Sequence, residues 1–133
     1  MNSFLQFRTF HRLLKILISS VWIFHGFYSK ILDGVPRHRQ IVSRILGEAI
    51  AGPGTLLIGI GEIGIGLWVL AEFQRRLCAG LQTFLLVSMN LLEIRLASDL
   101  LISPHGMVAL NLCFTAAIWC WAIFPDSGRV TGE

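Results

Sequence analysis

Charge is scarce in this chain of 133 residues: 14% of the residues are charged, whereas 54% are hydrophobic. A soluble domain carries roughly 25% charged residues, so this chain has too few charges to cover a surface that faces water. The formal net charge of +3 comes from basic residues that flank apolar runs, a placement typical of membrane proteins. The composition therefore predicts a single domain, residues 1–133, in a lipid bilayer and argues against nucleic acid as a partner.

Cysteine and proline are also few, with three and four residues respectively. Cys78, Cys113 and Cys120 form neither a C-x-x-C pair nor a zinc spacing, so we interpret them as buried, inert thiols. The sequence also lacks a Ser-His-Asp arrangement, a phosphate-binding loop and a metal-ligand motif. It predicts no metal and gives no support to hydrolysis or phosphoryl transfer.

Long apolar runs are what the chain has instead, at about residues 13–32, 55–73, 77–96 and 106–124. Each run has about 20 residues and would be ~30 Å long as a helix, enough to cross a bilayer. Basic residues precede the first run as in a signal peptide, but the run continues to Leu32 without a cleavage motif. We therefore predict an all-α fold, an antiparallel bundle of four transmembrane helices.

The segment between the first two runs has its own pattern. Apolar residues recur at helical spacing between about residues 37 and 50, on the side opposite Arg37, Arg39 and Arg44. This pattern predicts a short amphipathic helix at the membrane interface, with the three arginines contacting lipid headgroups. Gly52-Pro53-Gly54 is expected to end this helix and to begin the second span.

Polar and ionisable residues interrupt all four runs. At a rise of ~1.5 Å per residue, up-and-down threading places them roughly 3–10 Å below the membrane face opposite the N-terminus. A charged group at bilayer depth costs at least ~2.5–3.5 kcal/mol and normally has a partner or a task. We call this candidate intramembrane site the polar layer: His25, Lys30, Glu62, Asn90, Glu93 and Asn111.

Each member of the polar layer also has a structural interpretation. Asn90 and Asn111 are typical of hydrogen bonds between membrane helices. Glu62 and Glu93 could relay protons or bind a cation, or they could simply pair with His25, Lys30 or Arg95. On an α-helix Lys30 points ~140° away from His25, so these two need not touch, and Lys30 could reach the interface instead.

The residues from Gly59 to Gly64 formally match the dinucleotide motif G-x-G-x-x-G. That motif requires a preceding strand within a βαβ unit, whereas these glycines lie inside an apolar span. Gly59 shares a helix side with Gly66, and small residues in such positions let membrane helices approach closely. Helix packing is therefore the predicted role of Gly59 and Gly66.

Three ordered motifs resemble the DoxX-like family of small membrane proteins over roughly residues 15–124. They are Trp22-Ile-Phe-His25-Gly26 followed by Lys30, Gly61-Glu62 in a glycine-rich span, and Ser103-Pro104-His-Gly106 followed by Asn111. The resemblance implies four transmembrane helices and marks His25, Lys30, Glu62 and Asn111 as site positions. Asn90 and Glu93 are assigned to the site only because of their predicted depth in the membrane.

Two classes of function follow from the resemblance. Some relatives are subunits of quinol-linked or thiosulfate–quinone oxidoreductases, which makes a quinone the candidate cofactor and a redox protein the candidate partner. Other, distant relatives resemble membrane chaperones or cargo receptors. The alternative is thus a non-catalytic chaperone, assembly factor or small-molecule carrier, and whether the chain is an enzyme stays open.

The expected location is the bacterial inner membrane. Arg8, Arg12, Lys15, Arg75, Arg76 and Arg129 lie on the N-terminal side, against five basic residues on the other. This small excess places both termini in the cytoplasm by the positive-inside rule.

Overall fold

The computed structural model describes residues 2–32, 34 and 36–124, and this part of the chain is helical without a β-strand. The predicted all-α class is confirmed. In chain order, the helices are α1 (Asn2–Phe24), α2 (Pro36–Leu46), α3 (Glu48–Ala71), α4 (Arg75–Leu96) and α5 (Pro104–Ile123). A π-helical segment, His25–Ile31, continues α1, and a 3₁₀ turn, Ser98–Leu100, follows α4.

Three of the described helices, α3, α4 and α5, are long and apolar enough to cross a membrane. They correspond to the last three predicted spans. The α-helical part of α1 ends at Phe24, and its final 18 residues still include Arg8, Arg12 and Lys15, which is too much charge for a span of that length. A fourth span therefore depends on counting α1 together with its π-helical continuation.

The boundary between α2 and α3 differs from the prediction. The amphipathic helix ends at Leu46 rather than near residue 50, because Gly47 takes a φ of 98° that favours glycine. The break expected at Gly52-Pro53-Gly54 is wrong, since α3 begins at Glu48 and runs through Pro53. Pro53 lies in the second turn of α3, where it cannot donate a hydrogen bond to the carbonyl of Ala49 and its ring crowds that carbonyl.

A tight turn joins α3 to α4, as the charged sequence at residues 72–76 indicates. Glu72 and Gln74 adopt the left-handed conformation, with φ of 53° and 44°. The indole Nε1 of Trp68 donates a 2.6 Å hydrogen bond to the carbonyl of Phe73 and so fixes the turn from α3. The two helices therefore form an antiparallel hairpin.

The close-packed core lies in the half of the molecule nearer the N-terminus. Trp22 of α1 donates a 2.7 Å hydrogen bond to Gln82 of α4, and Gln82 donates another to the Cys78 sulfur. All three cysteines are free; Cys78 is buried as expected, whereas Cys113 is exposed on α5. The buried core residues are Ile18, Trp22, Ile65, Val69, Cys78, Ala79, Ile118, Trp121 and Ala122.

Candidate functional site

A cavity of about 520 Å³ occupies the other half of the molecule, and we call it the polar cavity. Its walls come from the end of α1, the π-helical segment, α2, the middle of α3, the second half of α4, the connection that follows it, and the N-terminal part of α5. The wall is apolar over much of its area, with Trp22, Leu86 and Phe114 among its members. Its polar and charged members include His25, Lys30, Arg37, His38, Glu62, Asn90, Glu93 and Asn111. The structure thus brings all six residues of the polar layer to one cavity.

Glycines set the distance between the first helix and α3 at the cavity wall. A Cβ atom added at Gly59 would lie 2.7 Å from the carbonyl oxygen of Gly26, which cannot move aside because it is backbone. One added at Gly66 would lie 2.6 Å from the Ile23 side chain. Gly59 and Gly66 therefore face the first helix at van der Waals distance. Gly64 faces open space.

The π-helical segment decides where Lys30 points. Its hydrogen bonds span five residues rather than four, so each turn holds more residues than an α-helical turn. Residues five positions apart, such as His25 and Lys30, then lie closer to one side of the helix. This local change explains why both line the polar cavity, although α-helical geometry predicted that they diverge.

Lys30 and Glu62 form an ion pair inside the bundle. The lysine Nζ lies 2.7 Å from Glu62 Oε1, and the exposed fractions of the two side chains are only 7% and 6%. The close approach at Gly26 and Gly59 brings the two helices near enough for this contact. Of the partners considered for Glu62, the structure selects Lys30, and the lysine does not extend to the interface.

Asn90 and Asn111 connect α4 to α5. The Asn111 Nδ2 group donates a 2.8 Å hydrogen bond to Asn90 Oδ1, which is the interhelical contact expected of such residues. Glu93, one turn beyond Asn90 on the same side of α4, is half-buried and lines the cavity. The wall formed by α4 and α5 therefore offers an amide pair and a carboxylate.

His38 of α2 is a cavity residue that the sequence analysis missed. Its ring stacks on that of His25, with centroids 5.7 Å apart and an angle of 28° between the planes. Burial, followed by the nearby charge of Lys30, lowers the pKa of His38 to about 3, so its imidazole is neutral at pH 7. The sequence could have indicated this position, because His38 precedes the buried residues Ile41 and Val42 by three and four positions and so lies on the same side of α2.

The three arginines assigned to lipid headgroups have different surroundings. Arg37 lines the polar cavity, and its Nε atom is buried without a hydrogen-bond partner among the described residues. Arg44 makes two hydrogen bonds to Asp99, at 2.7 and 3.0 Å, and the bond from Arg44 lowers the pKa of Asp99. Arg39 is exposed. Arg37 therefore belongs to the cavity, whereas Arg44, although paired with Asp99, is exposed like Arg39. The headgroup contacts stay a prediction.

Comparison with known families settles the classification. The sequence profile of the DoxX-like family matches residues 19–119, three-quarters of the chain. The chain belongs to the DoxX-like family. Comparisons with curated proteins and with solved structures gave no match. The matched segment contains every residue that lines the polar cavity of this DoxX-like protein.

The chemistry that the cavity of this DoxX-like chain offers is acid–base and hydrogen-bonding chemistry. Lys30 and Arg37 balance the charges of Glu62 and Glu93, so the wall as a whole is nearly neutral. Among the described residues no group of three or more histidine, cysteine, aspartate or glutamate side chains could hold a metal ion. The cavity can bind a molecule with a polar head and an apolar body, and it can hold protons beside that molecule.

A second buried polar contact lies at the other end of the molecule and was not foreseen from the sequence; of its members, only Glu72 lies within the matched segment. His11 is 3% exposed, and its ring nitrogens lie 2.9 Å from the Phe124 carbonyl and 2.5 Å from Glu72 Oε1. Lys15 lies 3.4 Å from the other carboxylate oxygen. Burial raises the pKa of Glu72, but the hydrogen bond from His11 and the charge of Lys15 outweigh it, so the net pKa is lowered.

Proposed function

We propose that this DoxX-like protein binds the headgroup of a quinone in its polar cavity, as a subunit of a membrane oxidoreductase system. The observation that carries the proposal is the buried Lys30–Glu62 pair at the end of a cavity whose other walls are largely apolar. A quinone has the matching form, two polar oxygens on a flat apolar ring with an apolar tail. Ligand pockets commonly combine such an apolar lining with a few placed polar groups.

The donors in the cavity fit a quinone. Lys30 keeps ammonium hydrogens beyond the one that faces Glu62, and Arg37, His25 and His38 add further nitrogen donors. A bound quinone would supply the redox chemistry, with the electrons exchanged with a partner protein. The protein's own residues position the ring and hold protons at its oxygens.

The setting of this site is a bundle of four transmembrane helices in a bacterial inner membrane. In this arrangement α1 and its π-helical continuation supply the first span, with both termini in the cytoplasm. The residues beyond 124, including Arg129, lie outside the described part of the chain. The excess of basic residues on the N-terminal side supports this orientation.

The alternative is a non-catalytic chaperone, assembly factor or carrier that uses the cavity for docking or transit. The observation in its favour is that the polar residues already contact one another in two pairs within the protein, Lys30–Glu62 and Asn90–Asn111. Such pairs can specify helix register without a ligand. A membrane protein that co-purifies in mild detergent and stays bound to the His25→Ala variant would favour this alternative.

Quinone binding is tested directly by titrating the purified protein with decylubiquinone and following the fluorescence of Trp22, which lines the cavity. We expect saturable quenching, weakened about tenfold by His25→Ala or by Glu62→Gln, which corresponds to about 1.4 kcal/mol. Asp99→Asn is the matched control, because this carboxylate is exposed outside the cavity. The absence of saturable binding of both decylubiquinone and decylubiquinol by the native protein would refute the proposal.

A further inference from the structure

One oxygen atom of Glu62 lacks a partner. The side chain is only 6% exposed, and both carboxylate oxygens are buried without a hydrogen bond among the described residues. Oε1 makes the ion pair with Lys30, which leaves Oε2 as the oxygen without a partner. A buried acceptor without a donor costs free energy, and it costs more when it is charged. A ligand that donates a hydrogen bond to Oε2 would recover this free energy.

The ion pair defines what kind of ligand atom is needed. The Lys30 ammonium group 2.7 Å away favours the carboxylate form of Glu62, and a carboxylate accepts hydrogen bonds but cannot donate them. The oxygen of a quinone carbonyl is also only an acceptor, so it has nothing to offer Oε2. A hydroxyl group, in contrast, donates one hydrogen bond and accepts others.

A buried atom of Arg37 in the same cavity also favours a ligand hydroxyl group. The Nε atom of Arg37 is a donor, and it too is buried without a hydrogen-bond partner in the part of the chain that the structure describes. A ligand that satisfies both atoms must offer an acceptor to Arg37 Nε and a donor to Glu62 Oε2. The near-neutral wall further favours a ligand without net charge, because two cationic and two anionic side chains line it.

We propose that the polar cavity binds the reduced quinol in preference to the oxidised quinone, with a quinol hydroxyl donating its hydrogen bond to Glu62 Oε2. This inference rests on the proposed function and specifies the redox state of its ligand. Glu62 is then the residue that determines specificity, and Lys30 positions it by keeping it ionised.

The test compares three probes on the native protein under argon: decylubiquinol, decylubiquinone and the dimethyl ether of decylubiquinol. We expect the quinol to bind at least about tenfold more tightly than the quinone, a difference of about 1.4 kcal/mol. The ether should bind no better than the quinone, because it has no hydroxyl hydrogen. A redox titration should independently show the midpoint potential of the bound couple raised by about 30 mV for each tenfold preference.

A double variant tests whether the Lys30–Glu62 ion pair causes the preference for the quinol. Lys30→Met with Glu62→Leu replaces the ion pair by apolar side chains of similar size and should bring the affinities for quinol and quinone within about twofold of each other. Asp99→Asn should keep the native preference. Equal or tighter binding of the quinone by the native protein would overturn this inference and leave the proposed function standing. If no probe binds, both fail, and the measurements on the native protein decide this even where the variant does not fold.

Discussion

Lys30 and Glu62 show how the position of a residue decides the value of an ion pair. On a protein surface such a contact is worth about 0–1 kcal/mol, but here both side chains are more than nine-tenths buried. Breaking a buried pair leaves one charge without compensation, whereas replacing both members by apolar side chains is often neutral. The intact pair is therefore expected to contribute little net stability to the bundle. Removing only one of its members should nevertheless destabilise the protein strongly.

Removal of one partner should accordingly cost more than removal of both. We expect Lys30→Met to lower the free energy of unfolding by about 3–5 kcal/mol, because Glu62 is left buried and unpaired. The double variant Lys30→Met with Glu62→Leu should be clearly more stable than this single variant. Unfolding by SDS titration in detergent micelles measures both, and a double variant less stable than the single one would contradict the argument.

The sequence predicts these residues well because depth follows from simple arithmetic. Antiparallel threading at a fixed rise brings Glu62 and Asn111 to a common level although they are far apart in the chain. His38 could have been placed from its spacing to Ile41. The contact between His11 and Glu72 could not, because it depends on how the end of one helix meets the turn between two others.

Among the helices, the first and α3 have the closest contact, and glycine makes it possible. Gly59→Ala should destabilise the protein by about 1–3 kcal/mol, because the added methyl group meets the Gly26 carbonyl, which is backbone and cannot yield. The same measurement, SDS titration, should show no loss for Gly64→Ala, where a Cβ meets nothing within 4 Å. Equal destabilisation by the two changes would mean that the first helix does not approach α3 most closely at Gly59.

The turn between α3 and α4 should make stability depend on pH. The pKa of Glu72 is lowered by folding, so its contribution is fully present above its ordinary value of 4.5 and is lost as the pH falls through the lower folded value. Glu72→Gln should remove this part of the acid sensitivity, as thermal unfolding between pH 3 and pH 6 would measure. Glu48→Gln, at an exposed carboxylate, is the matched control. An unchanged pH profile for Glu72→Gln would contradict the prediction.

The helix boundaries were harder to predict than the helices themselves. Glycine and proline at residues 52–54 are a strong local signal for a break, yet α3 continues through them because Ala51 and Thr55 are buried where α2 packs against α3. The break lies instead at Gly47, where the backbone conformation requires glycine. The π-helical segment at His25–Ile31 has no clear sequence signal, because it differs from an α-helix only in hydrogen-bond register.

For the molecule as a whole, we predict that the first helix crosses the membrane, and cysteine labelling can test this. In a variant without native cysteines, we expect Ser3→Cys and Gln74→Cys to react with a membrane-impermeant maleimide from one side and Ser98→Cys from the other. These three positions are exposed at the ends of α1, α3 and α4. Labelling of Ser3→Cys together with Ser98→Cys would mean that the first helix does not span. Reaction from the cytoplasmic side at Ser3→Cys would fix the orientation.

The molecule keeps its dense packing and its chemistry at opposite ends. Trp121, Ile118 and Val69 fill one half, while the walls of the other half surround open volume. Exchanges of cavity side chains such as Met89 or Met107, which do not pack against the core, therefore disturb little of what holds the helices together. Over evolutionary time, a bundle arranged in this way can change what it accommodates without having to be rebuilt.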